Sequence, residues 1–180
     1  MTTRVIGVAI DIPEPYAAEL SSWRRRTGDP LASLVPPHVT LLPPTELSEE
    51  LLTVAEDHLR AVACGHPPFQ MRLSGTGTFQ PVSDVVFVVV SSGIAQCELL
   101  ERGVRSGPLY RQVNFPYHPH VTVAHGVPPA RLLAAYEGLC TYRASFPVPV
   151  LTMFERGADG LWQRRREFPL GGAAGCGDCR

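Results

Sequence analysis

The 180-residue chain contains no lysine; all 16 of its basic residues are arginine. That absence removes Schiff-base catalysis and the phosphate-binding lysine of Walker-type loops. The all-arginine content reflects either compositional bias or forks that grip phosphate, a task their paired N–H donors suit. Long apolar runs are missing too. The longest unbroken one, Val85–Val90, has six residues, against the ~18 that a membrane-spanning helix needs. The stretch Val5–Ile10 is closed by Asp11 and Pro13 and is too short for a secretory signal. The expectation is therefore a soluble, cytoplasmic protein with no membrane partner. The net charge of −1 supplies no global field toward nucleic acid or lipid. Residues 1–82 carry 6 arginines against 9 acids, and residues 83–180 carry 10 against 8.

Cysteine is sparse and odd in number: Cys64, Cys97, Cys140, Cys176 and Cys179. That excludes a secreted disulfide framework. The pair Cys176-Gly-Asp-Cys179 has redox or zinc spacing, but it stands in a Gly/Ala tail with no second pair or histidine nearby. Residues 171–180 are expected to be a flexible terminus. What remains is 44% hydrophobic and 18% charged, a composition that excludes wholesale disorder. A chain of this length makes one domain or two small lobes sharing a core.

Read for periodicity, the chain repeats itself. In the first half, an apolar run Val5–Ile12 predicts a buried strand, and Pro15–Arg26 predicts a helix ending at Gly28. His38–Leu42 follows as a short strand stopped by Pro43-Pro44. Thr45 is placed to cap a helix reaching Cys64, and Phe69–Leu73 is a further strand. In the second half, Asp84–Val90, Ile94–Val104, His120–Ala124, Pro128–Cys140 and Phe146–Phe154 run in the same order. The offset is constant: 82 residues separate His38 from His120 and Thr40 from Thr122. This pattern predicts a duplicated β-α-β-α-β unit. The alternating segment Leu161–Phe168 is expected to pair with Phe146–Phe154 across a turn at Gly157–Gly160. The lobes are expected over roughly residues 1–78 and 79–170, with exchange of strands between them admitted, in one domain spanning 1–170.

On a strand, residues i and i+2 share a face. His38 and Thr40 therefore point one way and Val39 the other, and His120, Thr122 and Val121 repeat the arrangement. If a pseudo-twofold axis joins the lobes, two imidazoles and two hydroxyls meet in one cleft. That inventory fits displacement at phosphorus. One imidazole accepts a proton from the attacking hydroxyl while the other, protonated, donates to the leaving oxygen. The hydroxyls donate to the non-bridging oxygens, where charge accumulates. No strong nucleophile stands in either motif, which favours direct acid–base transfer over a covalent intermediate.

Pro37-His38-Val39-Thr40-Leu41 and Pro119-His120-Val121-Thr122-Val123-Ala124 resemble the paired His-x-Thr/Ser motifs of the 2H phosphoesterase superfamily. Within it, the likeness is to the bacterial 2′-5′ RNA ligase family, also known as RNA 2′,3′-cyclic phosphodiesterases. The resemblance covers about Val5 to Phe168. It implies an α+β fold that is bilobal, with two pseudo-symmetric lobes of mostly antiparallel sheet, a central cleft and helices outside. It also implies opening of a 2′,3′-cyclic phosphate, on RNA termini or small nucleotides, without metal or cofactor. Reversible 2′-5′ joining of RNA ends is the accompanying expectation. His38, Thr40, His120 and Thr122 take the family's catalytic positions, with the acid and base roles left open.

Around this core, Tyr117 and Phe79 are candidates for stacking on a base. Trp162, Arg164 and Arg166 alternate onto one face, and Arg164 is the candidate they offer for substrate contact. His125, five residues after His120, faces away from the cleft if the strand is regular. Arg24-Arg25-Arg26 reads as charge compensation at a helix C-terminus, and His58 and His66 as surface residues. Two other function classes compete. One is a metallohydrolase using His118, His120 and His125, disfavoured because no acidic residue neighbours them. The other is a binding module that holds a nucleotide without turnover. Substrate choice is expected to lie in the loops 75–83 and 103–115, and the protein is expected to act as a monomer.

Overall fold

The computed structural model describes residues 3–112 and 115–171. The tail with Cys176 and Cys179, and two residues of the 103–115 loop, lie outside the described residues. In chain order the elements are β1 (Thr3–Asp11), α1 (Tyr16–Thr27), β2 (His38–Ser48), α2 (Glu49–Cys64) and β3 (Phe69–Thr78). Then come β4 (Val85–Ser92), α3 (Ile94–Val104), β5 (His120–His125), α4 (Pro129–Gly138) and β6 (Arg143–Val148). The order β-α-β-α-β thus occurs twice. A hairpin of β7 (Val150–Arg156) and β8 (Trp162–Pro169) closes the chain.

The strands make two four-stranded antiparallel sheets, ordered β2-β1-β7-β8 and β5-β4-β3-β6. A lobe boundary at residues 78/79 does not separate these sheets. The first half donates β3 to the second sheet, and the end of the chain returns β7 and β8 to the first. Helices cross over as well: α1 packs on β5 and α4, while α3 packs on β2 and α2. Each half therefore completes the other's core, and the fold is α+β and bilobal without being two independent units.

Three expected boundaries move, each for a local reason. The single strand Phe146–Phe154 is two strands in different sheets, β6 on β3 and β7 on β1. The break falls at Pro149, which has no N–H to give either ladder. Strand β2 does not stop at Pro43-Pro44 but runs on to Ser48. Between Thr45, which pairs with Ile6, and Leu42, which pairs with Val8, the two prolines bulge opposite Gly7. As an edge strand, β2 tolerates the missing donors. Ser48, not Thr45, therefore caps α2, its Oγ accepting from the Leu51 N–H at 3.4 Å.

The core follows from spacing. Helix α2 buries Leu52, Ala55, Leu59 and Ala63, and β1 buries Ile6, Val8 and Ile10 on one face. Full burial of each larger side chain contributes about 1.5–3 kcal/mol. On the opposite face of β1, Gly7 and Ala9 line the space between the sheets.

Candidate active site

Both motif strands are sheet edges, β2 in one sheet and β5 in the other. Val39 and Val121 are fully buried while the flanking histidines and threonines are only half-buried. Each histidine is oriented in the same way. His38 Nδ1 lies 2.7 Å from the Pro36 carbonyl oxygen, and His120 Nδ1 lies 2.7 Å from that of His118. A carbonyl only accepts, so in each ring Nδ1–H donates to it and, in the neutral ring, Nε2 keeps its lone pair. His38 Nε2 is 3.1 Å from Thr40 Oγ1.

Immediately after each threonine the ladder slips. On β2, Thr40 pairs with Ala9 but Leu42 with Val8; on β5, Thr122 pairs with Phe87 but Ala124 with Val86. One extra residue, Leu41 or Val123, is thus bulged at the same point of both repeats. A bulge reverses the alternation beyond it. That is why Leu41-Leu42 and Val123-Ala124 are consecutive buried pairs, and why His125 turns to the same side as His120 and Thr122.

The four motif residues line one cavity of about 440 Å³ between the sheets. His125, Phe79, Trp162 and Arg24 line it as well, and among the described residues its wall carries no carboxylate. Phe79 meets His120 edge-on, with ring centroids 4.9 Å apart and planes at 89°. Trp162 lies against Gly7, where a Cβ would come within 3.2 Å of its ring. The absence of a side chain at Gly7 gives the indole its place.

Both imidazoles are held below their ordinary range. For His38 the main cause is burial, joined by the positive charge of Arg24 and then of His120. For His120 it is again burial, with a smaller push from His118. His120 can act on His38, 82 positions earlier in the chain, because both line the same cavity. Both rings are consequently held in the neutral form near neutrality, with the Nε2 lone pair open to a proton, and each is a strong donor once protonated.

The chain matches the model of the 2′-5′ RNA ligase superfamily over residues 12–160. It belongs to that superfamily. Its relatives include a Halalkalibacterium halodurans protein named "putative phosphoesterase", 34% identical over 121 residues, covering 67% of this chain and 70% of that protein. A Geobacillus kaustophilus protein of the same name is 27% identical over 168 residues, 92% of this chain and 96% of the other. Among solved structures, Escherichia coli LigT complexed with 3′-AMP has the same fold, with a TM-score of 0.72. It is 21% identical and covers 95% of this chain and 100% of its own. The Thermus thermophilus protein TT0787 matches with a TM-score of 0.65, at 26% identity, over 94% and 98% of the two chains. Phosphoesterase relatives and this fold support phosphodiester chemistry in general.

Within this 2′-5′ RNA ligase superfamily member, the outlying candidates separate. Phe79 reaches the cavity. Tyr117 does not line it: its hydroxyl donates to the Thr40 carbonyl at 3.0 Å, tying the segment before β5 to β2, and burial pushes its pKa up. Arg164 is exposed and pairs with Asp11 at 2.9 Å instead of lining the cavity. Arg166 does not share its face. A bulge at Arg165 sits between Arg164, paired with Phe154, and Arg166, paired with Met153. It sends Arg165 and Arg166 to Glu56 on α2.

Other readings are corrected by what lies nearby. His58 and His66 are half-buried and bonded to the carbonyls of Gly103 and Val62, serving helix ends. His125 faces the cavity because of the bulge at Val123. Arg24 is buried, not a solvated helix-end charge, while Arg26 stacks over Trp23 at 4.0 Å. Sequence spacing carries one hint of the bulges: the apolar doublets Leu41-Leu42 and Val123-Ala124 break the alternation at matched positions. Among the described residues, no three His, Cys, Asp or Glu side chains cluster as a metal site would need. No helix among them is long and apolar enough to cross a membrane.

Proposed function

We propose that this protein is a metal-independent phosphodiesterase that opens 2′,3′-cyclic phosphate ends of RNA or of small nucleotides. His38 and His120 serve as its acid–base pair. The observation that carries this reading is the matched presentation of two Nδ1-anchored imidazoles, each with its threonine, on one cavity whose described wall carries no carboxylate. In hydrolysis, the neutral imidazole takes a proton from water as the water oxygen bonds to phosphorus. The imidazolium gives a proton to the ribose oxygen as its bond to phosphorus breaks. Thr40 and Thr122 donate to the non-bridging oxygens, where the second negative charge builds. The two imidazoles end with their protonation states exchanged, ready to run the reverse reaction. The same groups therefore serve 2′-5′ joining when an RNA hydroxyl replaces water.

A cavity of about 440 Å³ accommodates a ligand of nucleotide size, the lower part of the usual range for small-molecule sites. The LigT structures with the same fold were solved with 3′-AMP, phosphate, ATP and NADP+, which supports a nucleotide as the occupant here. The test is incubation of the purified protein with 2′,3′-cyclic nucleotides and with cyclic-phosphate-ended oligonucleotides, with and without EDTA. Conversion to a single linear monophosphate, insensitive to the chelator, is expected. Tight binding without product would overturn the reading in favour of a binding module, and EDTA-sensitive turnover restored by zinc would favour a metallohydrolase.

A further inference from the structure

We infer that Arg24 is the fixed cation of the cleft, gripping the phosphoryl oxygens of the substrate from a buried ion pair with Asp29. The inference rests on the phosphodiester reading of the site and assigns it a binding group outside the two motifs.

A guanidinium is costly to bury and persists inside a protein when geometry and partners compensate. Arg24 is only 5% exposed, on the last turn of α1, although its neighbours Arg25 and Arg26 are exposed. Its Nε lies 2.7 Å from Asp29 Oδ2, and the other carboxylate oxygen accepts from the Leu31 N–H at 2.8 Å. Thr27 Oγ1 closes the same corner by donating to the Arg24 carbonyl at 2.7 Å. Gly28, with φ of 80°, turns the chain so that Asp29 can reach back. Every one of these contacts fixes where the guanidinium sits.

The fork is only partly used. Among the described residues no hydrogen bond other than that from Nε engages the Arg24 side chain, and the residue borders the cavity beside His38. A guanidinium with one edge on a carboxylate can offer the remaining N–H donors to an oxyanion as a bidentate pair. Arg24 is also the one arginine on the described wall of the cavity. The two motifs are thereby made unequal in charge. Both halves bring a histidine and a threonine, but fixed positive charge stands on the His38 side. A phosphodiester enters with one negative charge and gains a second in the transition state, so a pre-oriented cation there lowers the barrier as well as the dissociation constant. The charged and titratable groups around His38 are Arg24 from α1, His120 from β5 and Asp11, opposite it on β1 and itself paired with Arg164.

The experiment compares wild type with Arg24→Lys and with the double variant Arg24→Gln/Asp29→Asn, which removes both buried charges together. Binding of inorganic phosphate is followed through the imidazole Cε1–H resonances, and turnover through hydrolysis of a 2′,3′-cyclic nucleotide, with melting curves as the check on folding. The double variant is expected to bind phosphate roughly tenfold more weakly and to lose about 100-fold in kcat/KM, with a share of the loss in kcat. Arg24→Lys keeps the charge and the ion pair while losing the fork, so it should fall between the two, and it reads the fork if the neutral pair does not fold. Folded variants with wild-type phosphate affinity and wild-type kcat/KM would overturn the inference. If wild type hydrolyses no cyclic phosphate yet loses phosphate binding in the variants, the activity fails and the Arg24 anion site stands.

Discussion

Replacing His38 and His120 by glutamine, singly and together, tests whether the two act on one phosphorus atom. In the proposed mechanism each imidazole moves one proton, and loss of a general acid or base costs about 10²–10⁴-fold in rate. If the two worked in separate places, the double variant would lose the product, about 10⁴–10⁸-fold. Both line one cavity, and in the proposed mechanism each acts in the same transition state, so removal of either leaves the other without a complete reaction. The double variant should therefore be within roughly tenfold of the poorer single variant, the non-additivity expected of residues that work as a unit. The assay is kcat/KM on a 2′,3′-cyclic nucleotide, with melting temperatures to show that all three variants fold. The wild-type pH profile belongs to the same test. The proposed reaction needs one imidazole neutral and the other protonated, and burial holds both below the ordinary value of 6.5. The rate should thus rise as pH falls below about 6.5, then decline once both rings are protonated. A loss in the double variant close to the product of the single losses, or a profile flat from pH 5 to 8, would refute the reasoning.

Other outcomes follow from the same contacts. Because both rings have folded pKa values below their unfolded ones, the unfolded chain binds more protons under acid conditions. Stability present above about pH 6.5 should then be lost as pH falls through the folded values, and the His38→Gln/His120→Gln variant should show a flatter urea midpoint against pH. Tyr117→Phe removes the hydroxyl that holds the Thr40 carbonyl. It should cost about 0.5–1.5 kcal/mol in urea unfolding while shifting KM less than about threefold, since the residue lies outside the cavity wall. Phe79→Leu removes the edge-on contact with His120, worth about 0.5–1.5 kcal/mol. It should move the His120 Cε1–H resonance and lower kcat/KM several-fold, and an unmoved resonance would deny the contact.

Much of the site is legible in the sequence because its information is local. Period-two alternation puts His38 with Thr40 and His120 with Thr122 whatever the rest of the chain does, and the 82-residue offset announces that the two strands are equivalent. Phe79 is reachable as an aromatic beside a turn. His125 is not, because its direction depends on a bulge at Val123 that the pairing with β4 decides. Arg24 looks like any arginine at a helix end. Its burial follows from Gly28 bending the chain back to Asp29 and from α1 lying on β5, the strand of the other half. Arg164 misleads for the opposite reason: alternation places it correctly on its strand, but Asp11 has already taken its charge.

The amino-acid order alone determined the repeated β-α-β-α-β succession, the inward valines and the pairing of each motif histidine with its threonine on one face, since these depend on residues a few positions apart. Only the tertiary structure decided that β3 and the β7–β8 hairpin change places between sheets. It also decided that two edge strands confront one another and that a buried arginine attends just one of the histidines. Such choices are made by long-range pairing and by which apolar faces cover which, energies summed over contacts that no local window of sequence contains.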